Sequence, residues 1–177
     1  MSALQRYHEL AAKVDAFFAR VAARHGEALR CAAGCDQCCR VRLTVTGVEA
    51  DAIRAGLATL PPGERGAVAA AAAAAPADRC AALAPDGRCR IYPWRPLVCR
   101  SQGVPVRLAD GRGLPVVTAC ELNFDGGGGL GAVDAGDVLD QQTLSTVLAA
   151  VDAARAAEVG RPAGARVDLA AVLAGAG

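Results

Sequence analysis

Cys31-Ala32-Ala33-Gly34-Cys35-Asp36-Gln37-Cys38-Cys39 is the stretch on which the reading of this chain turns. The spacing C-x3-C-x2-C brings several thiolates within reach of one small centre, the geometry that soft metals and iron–sulfur clusters require. Working outward, Cys80, Cys89 and Cys99 follow in a segment punctuated by glycine and proline, and Cys120 completes a set of eight in 177 residues. The chain reads as a small protein built around a thiolate metal site.

Cys38 and Cys39 are neighbours, and neighbouring side chains diverge by about 100° on a helix or to opposite faces of an extended segment. One compact centre therefore has difficulty using both: either the pair feeds two centres, or one member is a bystander. Eight thiolates can fill two four-coordinate sites, or hold one cubane with four left for another metal or for redox work. The two histidines, His8 and His25, sit on the first expected helix, away from the cysteines, and read as helix residues rather than ligands. Arginines crowd the thiols instead: Arg30, Arg40, Arg79, Arg88, Arg90 and Arg100 each adjoin a cysteine in sequence. Nearby cations favour thiolates and can balance the negative charge of a four-thiolate centre.

Hydrophobic residues make up 53% of the chain, yet much of this is alanine and only 3% is aromatic, so the core buries little area per residue and a metal cross-link matters more for stability. A net charge of +1 gives no reason to expect nucleic acid or an anionic membrane as partner. The first nine residues carry charges where a signal peptide has its apolar run, and no stretch of about 18 uncharged apolar residues offers a membrane span. A cytoplasmic location is expected, where thiols favour metal over a disulfide scaffold.

From Leu4 to about Leu29, Leu4, Tyr7, Ala11, Val14, Phe18 and Val21 recur at alternating spacings of three and four, an amphipathic helix leading into Cys31. Val41, Leu43 and Val45 alternate as a short strand; Thr46 and Glu49 make a capping box opening a helix to about Leu60. The alanine run from Ala67 to Ala75 favours a helix with little to pack against, a spacer. Val104–Leu108 and Leu114–Val117 flank an Asp110-Gly111 turn as a hairpin, with Pro105 and Pro115 confining it to edge positions. Beyond a Gly126–Gly129 loop, Leu139 to Val151 and Val167 to Leu173 suggest two helices. Asp134, Asp137 and Asp140 read as loop and helix-start charges rather than a calcium site. The glycines at 126, 128 and 131 match a dinucleotide fingerprint only formally, with no strand before them, and the single lysine, Lys13, rules out a Walker loop.

With those residues in view, Cys31-x3-Cys35-x2-Cys38-Cys39, then Cys80, then Cys89-Arg-Ile-Tyr92-Pro-Trp-Arg95-Pro-Leu-Val-Cys99-Arg100, the chain resembles the YkgJ-type cysteine-cluster family of zinc- or iron-chelating domains over about residues 31–120. The resemblance implies a bacterial protein whose cysteines chelate an iron–sulfur cluster, iron or zinc. By position Cys31, Cys35, Cys38, Cys39, Cys80, Cys89, Cys99 and Cys120 are candidate ligands, and Tyr92 and Arg95 a surrounding shell that hydrogen-bonds sulfur or packs over the site. A similar domain occurs in flagellin lysine methylases; this chain lacks their extra sequence, so methyl transfer is not carried over.

The expected fold is mainly helical α+β, a small single domain divided as 1–30 amphipathic helix, 31–120 metal-binding core with a short hairpin, 121–136 glycine-rich loop and 137–177 C-terminal helices. The expected function is metal binding, with a 4Fe-4S cluster ahead of zinc. A structural zinc interaction module, and an iron–sulfur-dependent protein-modifying enzyme or accessory subunit, are the rivals. A protein partner stays open, and no acid/base pair anchors an enzymatic reading.

Overall fold

A computed structural model describes residues 1–126 and 128–175; Gly127 of the expected glycine loop and residues 176–177 of the expected C-terminal segment lie outside the described residues. The protein is a mainly helical α+β domain in which α1 (Ala3–His25) and α5 (Gln141–Val159) pack against each other. Ser2 starts α1: its hydroxyl accepts from Gln5 N while its own N–H donates to Gln5 Oε1 at 2.8 Å, satisfying two donors the first turn leaves open. The stripe read from the sequence is the buried face, with Tyr7, Ala11, Val14 and Val21 inward, and the helix stops at Gly26.

β1 (Thr44–Thr46) runs directly into α2 (Gly47–Leu57), and Glu49 Oε2 receives Thr46 N at 2.9 Å in the expected capping box. The strand is shorter than the alternation suggests because Val41 lies outside it, exposed. Its partner was not legible in the sequence: β5 (Arg166–Asp168) pairs antiparallel to it, with Val45 opposite Val167. The expected last helix thus begins as a strand, and only α6 (Leu169–Ala174) is helical.

The alanine-rich helix α3 (Pro62–Ala73) is not a spacer. Val68 and Ala72 are buried and the helix packs along α6, where small side chains allow close approach. After α4 (Leu97–Arg100), β2 (Val106–Ala109) and β3 (Pro115–Thr118) form the expected hairpin, closed by Asp110, whose carboxylate accepts from Arg112 N and Leu114 N. Pro115 stands on the edge strand as expected, but the inner flank of β2 is covered by β4 (Leu139–Asp140), which pairs parallel to it.

Asp137 is more than the loop charge it was read as. Its side chain is 1% exposed and meets Arg24 and His25 at 3.0 Å and Arg20 at 3.7 Å, tying the 135–137 turn to the end of α1. Asp140 does cap α5, accepting from Thr143 N.

Three apolar clusters make the interior. One gathers Val45, Ile53, Leu57, Ile91 and Leu169 with Cys80. A second joins α1, α2, α4 and α5 through Tyr7, Val14, Val48, Leu97 and Leu144. A third, smaller one centres on Val21, Val104 and Phe124.

Candidate metal centre

Each segment that carries a cysteine is fixed by its own backbone. Cys35 N donates to Ala32 O at 3.0 Å, closing a turn that ends at Gly34, whose φ of +93° suits glycine. That turn lies flat on the Asp86-Gly87 turn: a Cβ on Gly87 would stand 2.6 Å from Gly34 O. The second turn belongs to a small hairpin in which Arg90 N donates to Ala82 O, setting Cys80 and Cys89 at its two ends. Between Cys89 and Cys99, the Tyr92–Trp94 turn is pinned by Trp94, whose indole covers Gly56 so closely that a Cβ there would approach to 2.3 Å. Cys99 rides on α4, held by Glu49 Oε1 accepting Leu97 N at 3.0 Å.

The result is one cavity of about 600 Å³ lined by seven cysteines, Cys31, Cys35, Cys38, Cys39, Cys80, Cys89 and Cys99. Cys120 is not among its walls. The remaining lining is largely apolar, with Phe18, Ala82, Ile91 and Leu169, and holds no histidine or carboxylate. Seven soft donors, with no histidine or carboxylate among the described lining residues, is a set that fits a metal–sulfur group and suits magnesium or calcium poorly. The cavity is nevertheless not tightly drawn: among the described residues no three cysteine, histidine or carboxylate side chains converge closely enough to grip a single ion.

Cys38 and Cys39 do not diverge as expected. They occupy a 3₁₀ turn, Gln37–Cys39, where both line the cavity. Cys80 N closes the same corner, donating to Cys39 O at 2.8 Å. The adjacent Cys39 thiol holds Cys38 down to about 6 and Cys80 down to about 7, while Cys39 itself is pushed up. Burial drives the Cys99 thiol up to about 12 and raises Cys89 as well. Two thiolates thus stand ready near neutral pH, and a metal drawing on the other sulfurs would have to release protons from them.

Four of the six arginines that adjoin cysteines pair with carboxylates instead of sulfur, while Arg90 keeps a buried Nε without a partner among the described residues. Arg30, Arg40 and Arg88 pair with Asp125, Asp36 and Asp86, and the nearly buried Arg100 pairs with Asp15 while donating to Pro93 O and Arg95 O. Arg95 stacks on the Tyr92 ring, 4.1 Å from its centroid, and donates to Asp15 at 2.9 Å. Both Tyr92 and Arg95 line the cavity, packing beside it with no side-chain hydrogen bond to sulfur among the described residues.

Two participants had no signal in the sequence. Asp15 on α1 gathers both guanidiniums of the Arg95-to-Arg100 strap. Asn123, buried, directs its Nδ2 to Cys31 Sγ at 3.4 Å.

Residues 30–111 match the family model CxxCxxCC, described as "Putative zinc- or iron-chelating domain". No curated protein and no solved structure matches the chain. The matched span contains every cysteine except Cys120, together with Tyr92 and Arg95. The likeness to that family of zinc- or iron-chelating domains thus covers the cysteine-bearing part of the chain, a little under half of its 177 residues.

Proposed function

We propose that the protein carries an iron–sulfur cluster on the cysteines of the central cavity, with Cys38, Cys80, Cys89 and Cys99 among the ligands. The supporting observation is a mismatch of scale. A single zinc ion places four sulfurs at about 2.3 Å, hence roughly 3.8 Å from one another. Here seven thiols surround a space of about 600 Å³ without any three meeting at one point. Ligands of a multi-iron cluster bind different metal atoms and stand farther apart, so this spread suits a cluster better than a lone ion. The apolar walls of the cavity would set its potential, and the reading is of a cluster-bearing protein in redox or accessory work.

Purification without air, followed by iron, acid-labile sulfide and zinc analysis, tests it. A brown protein with iron and sulfide in equal amounts is expected. A colourless protein with stoichiometric zinc would replace the cluster by a structural zinc module.

A further inference from the structure

We propose that Cys39 and Cys80 form a reversible disulfide in the metal-free protein, which denies the cavity its cluster until a dithiol reductant reopens the bond. Resting on the reading that Cys80 is a cluster ligand, the bond gives a task to Cys39, the neighbour of Cys38 that is not among the four named ligands.

The backbone sets the pair. Cys80 N donates to Cys39 O at 2.8 Å although residues 40–79 lie between them. Backbones joined by N–H···O bonds across paired segments hold their Cα atoms about 5.5 Å apart, within the span of roughly 4.4–6.8 Å that a disulfide bridges. Each end is fixed a second time: Cys39 N donates to Asp36 O at 2.8 Å, and Cys80 O accepts from Leu83 N at 3.1 Å. The side chains share surroundings as well. Both line the cavity; Cys80 is buried in the cluster of Val45, Ile53, Ile91 and Leu169, and Cys39 packs against that same cluster. No third donor converges with them among the described residues, so this corner suits a bond between two sulfurs better than a grip on one ion.

Other pairings are less favourable. Cys38 and Cys39, as neighbours across a trans peptide, have Cα atoms about 3.8 Å apart, too close for an unstrained disulfide. Cys89 stands across the small hairpin from Leu83, three residues beyond Cys80.

The oxidant is a small peroxide, which enters where Cys31, Cys35 and Cys38 leave the cavity wall exposed. The half-buried Cys39 sulfur attacks one peroxide oxygen and the O–O bond breaks. The thiol proton leaves with the other oxygen, giving a sulfenic acid and one water. The Cys80 sulfur then displaces that hydroxyl, its own proton completes a second water, and the S–S bond forms. Two thiols are oxidised and one peroxide is reduced. A dithiol reverses the step by exchange and leaves as its own disulfide. While the bond stands, Cys80 has no thiolate to give to iron. The same bond encloses β1, α2 and α3, so the oxidised protein keeps its fold while its site is empty.

The test uses the full chain, stripped of metal and reduced without air, then treated with one equivalent of hydrogen peroxide. Tryptic mapping without reductant is expected to join peptides 31–40 and 80–88, and Cys39→Ser to lose that link. The oxidised protein should melt above the reduced metal-free form and take up iron and sulfide only after dithiothreitol. A disulfide confined to 31–40, a link from Cys80 that survives Cys39→Ser, or oxidised protein that loads its cluster fully overturns the proposal. Should Cys39→Ser fail to fold by circular dichroism, fragmentation of the joined wild-type peptides locates the bond, and any cysteine other than Cys39 opposite Cys80 contradicts it. Protein that forms the link yet takes up no iron after reduction refutes the cluster reading instead, and leaves the disulfide in place.

Discussion

Glu49 and Leu97 are joined by a hydrogen bond of 3.0 Å in which the carboxylate of one helix accepts the first backbone N–H of another. The same side chain caps its own helix through Thr46. A single buried acid thus begins α2 and fastens α4, the four-residue helix that carries Cys99.

Glu49→Ala is expected to lower stability by about 2–4 kcal/mol, since it removes a cap and strands one buried and one half-buried donor. Urea denaturation measures it. Metal retention at Cys99 should weaken in the same variant, because a helix this short has little hold of its own.

Asp15 should matter through the cationic strap it neutralises. Asp15→Asn leaves Arg100, 9% exposed in its side chain, without its partner, and a loss of about 1–3 kcal/mol is expected. The figure stays below that of a fully buried pair because the carboxylate is 39% exposed. Equal urea midpoints for variant and parent would show that the strap is held by Arg100's carbonyl contacts alone.

Gly56→Ala sets two effects against each other. Helix propensity favours alanine by roughly 1 kcal/mol. The new Cβ, however, would stand 2.3 Å from the Trp94 indole, and overpacking of this kind costs about 1–3 kcal/mol or more. Destabilisation is expected to win, seen as a lower melting temperature with altered tryptophan fluorescence, Trp94 being the one tryptophan.

Acid should weaken the anchor of α1. The hydrogen bond from His25, reinforced by Arg24, holds the Asp137 carboxyl below the usual carboxylate range. A depressed folded-state value stabilises above the ordinary pKa of about 3.9, and that contribution is lost as pH falls through the lower folded value. Melting temperature followed from neutral pH downward should therefore fall more steeply below about pH 4 in the parent than in Asp137→Asn.

Much of this was legible because it is local. The α1 stripe, the Thr46–Glu49 box and the Asp110 turn are written in spacings of three or four residues, and folding leaves them intact. What escaped depends on partners far along the chain. Nothing near Arg166 announces a strand until Val167 lies opposite Val45; the alanines of α3 look idle until α6 covers them. The same holds at the site. Cysteine spacing pointed to metal, but Asp15 and Asn123 act on segments some 80–90 residues away, and no local pattern marks them. The arginines beside the cysteines misled in detail, since adjacency in sequence put most of them against carboxylates instead of sulfur.

X-ray absorption at the metal edge of anaerobically isolated protein tests the central claim most directly. A first shell dominated by sulfur at about 2.3 Å, with metal–metal scattering beyond it, is the predicted result. A shell of nitrogen and oxygen, or protein that folds equally well with no metal bound, would contradict it.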